Sequence, residues 1–315
     1  MPERIISLIC NPNNPALSDV REKVDKTLRA LDLFVQHSRE LADNVAWEAR
    51  VDTQTTQGNG YTDEQIREAI IAAIGGAPID VNLLPSDLSN GIRRKDLLVA
   101  DMDSTIIEQE CIDEIADFAG IKSEVADITK RTMRGELDLE TSLRKRVGLL
   151  KGLSSSVLQK IVDERLTLTP GAQTLSATMK ANGARLVLAS SGFTFFTDRI
   201  AKKVGFHEAH SNTLGIANDK LTGEINGPIY GGADKARTLL SVRDALSIAP
   251  ESTMAVGDGA NDLVMIAEAN TGVAFRAKPA VAKAADCNIN HGDLTGLLFL
   301  QGYALSEFHG ALNLE

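Results

Sequence analysis

Hydrophobic residues change their spacing near residue 97, and the change divides the chain. In the first part, short apolar runs alternate with segments of helical period. IISLIC (residues 5–10) is β-rich and runs into a turn at NPNNP. Residues 17–33 then carry Val20, Val24, Leu28 and Leu31 at helical spacing. VAWEARV (45–51) alternates apolar and polar positions, as a half-buried strand does. QGNGYTDE is a loop ending at a cap-like Thr62, residues 64–74 are helical, and IDVNLL closes the segment as a short strand.

The order strand, helix, strands, helix, strand is that of an α+β ferredoxin-like (ACT-like) module over residues 1–84. PSDLSNGIRRKD (85–96) is polar and punctuated, and reads as a linker. From Leu97 the apolar runs become continuous: LLVA (97–100), ARLVLAS (184–190), STMAVG (252–257), TGVAF (271–275) and the short CNIN (287–290). Buried parallel strands read this way, and helical stretches separate most of these. The alternation predicts an α/β domain over 97–315, a Rossmann-like parallel sheet wound with right-handed crossovers. About eighty residues separate Asp101 from the strand at Ala184. Helical segments at 112–118, 123–133, 140–150 and 154–165 fill most of that gap, which predicts a helical cap inserted at about 107–168. Residues 211–232, rich in glycine and β-formers, read as a small β excursion.

Composition narrows the function classes. The 315-residue chain has a net charge of −10 and only 4% aromatic residues, which argues against a phosphate-backbone binder and against an aromatic platform for single strands. Cys10, Cys111 and Cys287 lie too far apart for a disulfide framework or a zinc knuckle, and read as buried thiols. The apolar start, Ile5 to Cys10, is too short for a secretory signal, and no stretch approaches a membrane span. The expectation is a cytoplasmic protein with a small-molecule partner, neither nucleic acid nor membrane. The front module offers two roles, ligand binding or homodimer formation.

The chemistry concentrates at strand ends, where ligands of open α/β sheets bind. LLVADMDSTIIEQE runs four apolar residues into Asp101, with Asp103 two positions on. Close carboxylates repel, and burying them unpaired is costly. A second strand ends in ASSGF, with Ser190 and Ser191, and another in GDGAND, with Asp258, Asn261 and Asp262. Lys235 opens a helix between them. Several carboxylates at one site, with no histidine or cysteine cluster, favour a hard cation, Mg²⁺, which takes one or two carboxylates, waters and a substrate phosphate.

DMDST matches the DxDx(T/V) signature of the haloacid-dehalogenase-like (HAD) phosphatases, and Ser190, Lys235 and GDGAND match their remaining motifs in order. DMDSTIIEQECIDEIA, MRGELDLETSLRKRVGLLKGL, ASSGF and VGDGANDLVMI together resemble the phosphoserine phosphatase family over about residues 97–290. The resemblance implies that Asp101 attacks phosphorus, that Asp103 protonates the leaving alcohol and then activates water, and that Lys235 neutralises phosphate and nucleophile. It implies Mg²⁺ on Asp101, Asp258 and the backbone oxygen of Asp103, with Asp262 and Asn261 orienting the shell. It places Ser190 on the phosphate, and Glu110, Met133 and Arg146 on the phosphoserine. Ser191 stands where the family usually has glycine, and Leu139 where relatives often place an aromatic residue. Glu110 and Arg146 also lie in charge runs, which are usually solvated faces. Two rival readings use the same motifs or modules: phosphoryl transfer to a second alcohol such as homoserine, and a regulatory amino-acid-binding protein.

Overall fold

The computed structural model describes residues 3–53, 60–86, 93–134 and 136–310. Parts of two expected segments, the loop after the third strand (54–59) and the linker (87–92), lie outside the described residues.

The front module runs β1 (Glu3–Cys10), α1 (Arg21–Ala30), β2 (Val35–Ala42), β3 (Ala46–Asp52), α2 (Asp63–Ile74) and β4 (Ile79–Pro85). Its antiparallel sheet has the order β2-β3-β1-β4. The helices form where the apolar period is 3.6: Val24 and Leu28 of α1, and Ile66, Ile70 and Ile74 of α2, are buried. Thr62 caps α2 through a reciprocal box with Gln65, and Gly75 ends it at φ 65°. Helix α1 is shorter than its apolar spacing implied, because residues 17–20 form a turn rather than helix.

The second sheet has the order β11-β10-β9-β5-β6-β7-β8. Its strands are β5 (Leu97–Ala100), β6 (Arg185–Phe193), β7 (Glu208–Ala217), β8 (Lys220–Asn226), β9 (Thr253–Gly257), β10 (Thr271–Phe275) and β11 (Cys287–Ile289). All pairs are parallel except β7 with β8. The expected β excursion is therefore a hairpin whose first strand begins earlier, at Glu208, and belongs to the main sheet. Four cap helices, α3 (Cys111–Phe118), α4 (Lys122–Met133), α5 (Leu139–Gly148) and α6 (Ser156–Glu164), fill the gap after β5. Behind them come α7 (Ala172–Ala181), α8 (Thr194–Val204), α9 (Gly232–Ala245), α10 (Leu263–Glu268), α11 (Pro279–Ala284) and α12 (Gly296–Leu300). Among the described residues no helix is long and apolar enough to cross a membrane.

Strand β5 is buried at every position and sits between β6 and β9. From β5 the chain winds outward through β6 and β7, then returns to the other side through β9, β10 and β11. The carboxyl ends of β5 and β9 thus meet at a topological switch point, where such sheets leave a crevice.

The two sheets are joined by polar groups, of which Glu48, Asp80 and Asn82 are buried. Asp80 of β4 accepts from the backbone N–H groups of Asn290 (2.7 Å), His291 (3.1 Å) and Gly292 (2.9 Å). Asn82 exchanges two hydrogen bonds with the backbone of Asn288. Glu48 of β3 pairs with Arg93 and Arg39, and Arg93 also donates to the carbonyl of Leu300 at 2.8 Å. Removing Asp80 would take the acceptor from three N–H groups; Asn290 and His291 are exposed, and the buried Gly292 N–H is the one left unmet, at about 1–3 kcal/mol. Asp80→Ala should therefore cost about 1–3 kcal/mol. Chemical denaturation should show this as an earlier transition, with Asp80→Asn intermediate.

Candidate active site

Strand β5 delivers Asp101 into the crevice. The Asp101 N–H still bonds across to Val256 (2.9 Å), so the residue is held as the last rung of the sheet. Its Oδ1 accepts from the Met102 N–H at 2.8 Å. The chain then turns tightly through Met102–Ile106, with Ser104 left-handed at φ 55°. This turn re-aims Asp103. One Asp103 oxygen accepts from the Cys111 N–H at the start of α3 (2.8 Å), and the other from Ser190 Oγ (3.1 Å). The cap and the second motif therefore fix the same carboxylate.

Ser190 is fully buried at the end of β6, and its Oγ also accepts from the Gly192 N–H at 2.8 Å. A Cβ on Gly192 would lie 2.7 Å from Asp103 Oδ2 and 3.0 Å from Ser190 Oγ, so only glycine fits. Ser191 tolerates its side chain: its Oγ accepts from Asn261 Nδ2 at 3.5 Å. The sequence offered Ser191 as a departure. In the structure its hydroxyl faces the fourth motif, and Gly192 is the position with no room.

Lys235 enters from the first turn of α9. It is completely buried, and its Nζ lies 2.7 Å from both Asp101 Oδ1 and Asp262 Oδ1. A solvated first-turn lysine is thereby ruled out. Asp262 accepts from the Gly259 N–H through its other oxygen (3.0 Å), which closes the GDGAND loop on itself. A Cβ at Gly257 would fall 2.4 Å from the Asp262 carboxyl carbon, so this glycine too is required.

Four buried carboxylates, Asp101, Asp103, Asp258 and Asp262, surround this one fully buried cation. Burial works against the Lys235 charge, but Asp101 and Asp262 outweigh it and hold the amine above the usual lysine value. Burial, then the charge of Asp262, push the Asp101 carboxyl well above its usual range, against the pull of Lys235. Burial also raises Asp103, opposed by the Cys111 N–H and Ser190. Asp258 is pushed up to about 6, chiefly by burial, although Lys278 partly offsets it. The anionic site is thus undercompensated by its own side chains. Asp101, Asp258 and Asp262 each place a carboxylate oxygen within 4.8 Å of the others. An all-oxygen, undercompensated set of this kind fits a hard divalent cation.

The cap supplies the rim. Glu110 is exposed at the N-terminus of α3, and its Oε1 accepts from Ser104 Oγ at 3.0 Å. Arg146 of α5 is half-buried, and its Nε is buried without a hydrogen-bond partner. Burial lowers the pKa of its guanidinium, and the charges of Asp113, Glu110 and Asp103 oppose that. Leu139 is 54% exposed. The Met133 side chain lies outside the described residues. Cys111, Gly192 and Lys278 belong to the site but were not singled out in the sequence. For Gly192 the adjoining serines were the available signal. Cys111 contributes a backbone N–H, which leaves no trace in residue type.

Comparison with known proteins gives the family. The family model described as haloacid dehalogenase-like hydrolase matches residues 98–267. A probable phosphoserine phosphatase of Schizosaccharomyces pombe is 47% identical over 243 residues, 76% of this chain and 80% of that protein. Among solved structures, a haloacid dehalogenase family hydrolase of Salmonella enterica serovar Typhi superposes with a TM-score of 0.80 at 33% identity, covering 95% of this chain and 98% of that one. A phosphoserine phosphatase captured as an analogue of its phospho-aspartyl intermediate is 39% identical, with a TM-score of 0.61 over 65% of this chain and 98% of that one.

The Gly192 contact gives a direct check. Gly192→Ala must displace Asp103 or Ser190, and small misplacements of reacting groups cost about 10²-fold. We expect kcat for phosphomonoester hydrolysis to fall by about that factor, with the circular dichroism spectrum unchanged.

Proposed function

This chain belongs to the haloacid dehalogenase-like hydrolases, in their phosphoserine phosphatase branch, and from that premise we propose how its residues divide the work. The reaction is hydrolysis of O-phospho-L-serine to L-serine and inorganic phosphate, the last step of serine biosynthesis. The observation that carries the reading is the buried Lys235 ammonium between Asp101 and Asp262, at the strand end that also presents Asp103.

Asp101 is the nucleophile. Its carboxylate attacks phosphorus, the bond from phosphorus to the serine oxygen breaks, and an aspartyl phosphate forms. Asp103, whose carboxyl burial holds up, gives its proton to the departing serine oxygen. It then takes a proton from water, which attacks the aspartyl phosphate and regenerates Asp101 with release of phosphate. Lys235 keeps Asp101 aligned and spreads the charge that develops on the phosphoryl oxygens. Ser190 Oγ, which donates to Asp103 in the free site, turns its hydrogen to those oxygens once Asp103 carries the proton, and the Ser191 backbone N–H lies beside it. Magnesium, held by Asp101, Asp258 and the Asp103 backbone oxygen, would screen the nucleophile from the phosphate dianion and withdraw charge from the phosphoryl group.

Substrate choice rests on the rim. Glu110 takes the ammonium of phosphoserine, and the guanidinium of Arg146 forks onto its carboxylate. The unmet Nε of Arg146 supports this, because a buried donor without a partner wants an acceptor. Asn261 and Asp262 hold the loop behind the phosphate, and the resemblance implies Met133 as an apolar contact of the substrate. In this reading residues 97–315 do the chemistry with the cap at about 107–168, and residues 1–84, joined through 85–96, form a separate module.

The test is phosphate release from L-phosphoserine and a panel of other phosphomonoesters, with Mg²⁺ and with EDTA. Release should require the metal and favour phosphoserine; metal-dependent release without preference would remove the roles of Glu110 and Arg146. Asp101→Asn should lose about 10³-fold or more in kcat while still folding. Arg146→Lys should raise KM for phosphoserine about tenfold and change kcat less, because an ammonium cannot fork onto a carboxylate.

A further inference from the structure

Asp258 has a cationic neighbour of its own, and it comes from outside the four motifs. Beyond β10, Arg276 adopts a left-handed conformation at φ 43°. Its N–H bonds the Ile289 carbonyl at 2.8 Å, and its guanidinium donates to the Gly292 carbonyl at 3.2 Å. This bend brings Lys278 against the fourth motif. The Lys278 N–H donates to the Asp258 carbonyl at 3.1 Å, and the Lys278 carbonyl accepts from Val281 and Ala282 in the first turn of α11. Pro279 follows directly and fixes the helix start. The backbone of Lys278 is therefore pinned to Asp258.

Its side chain is held differently. The Lys278 side chain is 52% exposed, and Nζ stands 3.8 Å from Asp258 Oδ2, beyond hydrogen-bond distance. Lys235, by contrast, is sealed in at 2.7 Å. One lysine is a fixed part of the site. The other leans over its mouth on a flexible stem, paired with a carboxylate that belongs to the cation-binding cluster. Its charge also acts on Glu110, whose pKa it lowers against the larger upward push of burial.

We propose that Lys278 is a positioning residue for Asp258: its ammonium competes with the divalent cation for that carboxylate, and so sets how tightly the cation is held. This rests on the proposed metal-dependent reading of the site. Two cationic groups within a few ångströms of one carboxylate repel, by an amount that the half-exposed position keeps moderate. A phosphate dianion bound beside the cation would offset that repulsion. Cation and substrate therefore bind more tightly together than either does alone, and product release loosens both.

The experiment is calorimetric titration of Mg²⁺ into EDTA-stripped, full-length wild type and into Lys278→Met, Lys278→Arg and Lys278→Glu, without substrate. The expected result is graded. Lys278→Arg should match wild type, Lys278→Met should bind Mg²⁺ about three- to tenfold more tightly, and Lys278→Glu more tightly still. Tightening is a readout that a merely structural role does not give, because a damaged site binds more weakly. The same titration with inorganic phosphate present should bring wild type and Lys278→Met closer together. Equal affinities across the series, or weaker binding by Lys278→Met, would overturn the proposal and leave the metal site standing. Absence of Mg²⁺ binding by wild type would sink both.

Discussion

The structure turns on a lysine ammonium buried between two aspartates. Taking three charged groups out of water costs several kcal/mol for each ion, and the cost is offset only when geometry and further hydrogen bonds are good. Here they are. Both Lys235 contacts are 2.7 Å, Asp101 also accepts from Met102, and Asp262 also accepts from Gly259. Meeting those distances fixes much else. It sets the position of α9, demands glycine at Gly257, and ties the end of β9 to the end of β5. The parts that make the site catalytic are thus the parts that make its neighbourhood rigid. The cluster is nevertheless left undercompensated, which is the condition for holding a divalent cation.

Chemistry and selection reside in separately built parts that share one carboxylate. The strand ends supply Asp101, Ser190 and Asp258, and α9 supplies Lys235. The cap supplies Glu110 and Arg146. Asp103 is gripped by both, through Ser190 from the sheet and the Cys111 N–H from the cap. The cap is itself tied down at its far end. Gly152 and Leu153 exchange backbone hydrogen bonds with Leu221 of the β7–β8 hairpin, each 2.8 Å, and Ile107 bridges to Leu168 at its base. A cap braced this way presents its rim at a defined height above the phosphate site, which is what recognition of a short substrate needs.

The sequence made the sheet legible because buried parallel strands announce themselves as apolar runs, and LLVA ahead of Asp101 is the clearest of them. The cap helices were legible from their period. Strand β7 was not seen at its true start, because EAHSN at the sheet's outer side is half-buried and polar. Lys235 stood out because a lysine in a first turn opposes the helix dipole and so needs a reason. Lys278 could not be read, since its contact with Asp258 depends on the left-handed bend at Arg276 rather than on any spacing from GDGAND. The Asp103–Cys111 bond was equally hidden: a backbone donor is the same for every residue type except proline.

That bend at Arg276 also connects the site to the front module. The loop after β11 is held from two directions. Asp80 of β4 takes the N–H groups of Asn290, His291 and Gly292, and Arg276 takes the Gly292 carbonyl. Two residues beyond Arg276, Lys278 is pinned to Asp258. A carboxylate in the first eighty-odd residues and a carboxylate of the cation cluster are therefore linked by one short run of hydrogen-bonded backbone. Polar contacts of this kind have strict distance demands, so the loop has little freedom to shift while both ends are made. Had the two sheets met through apolar side chains alone, sliding would have been inexpensive and the link loose. The buried polar junction makes the position of the front module a condition on the geometry around Asp258.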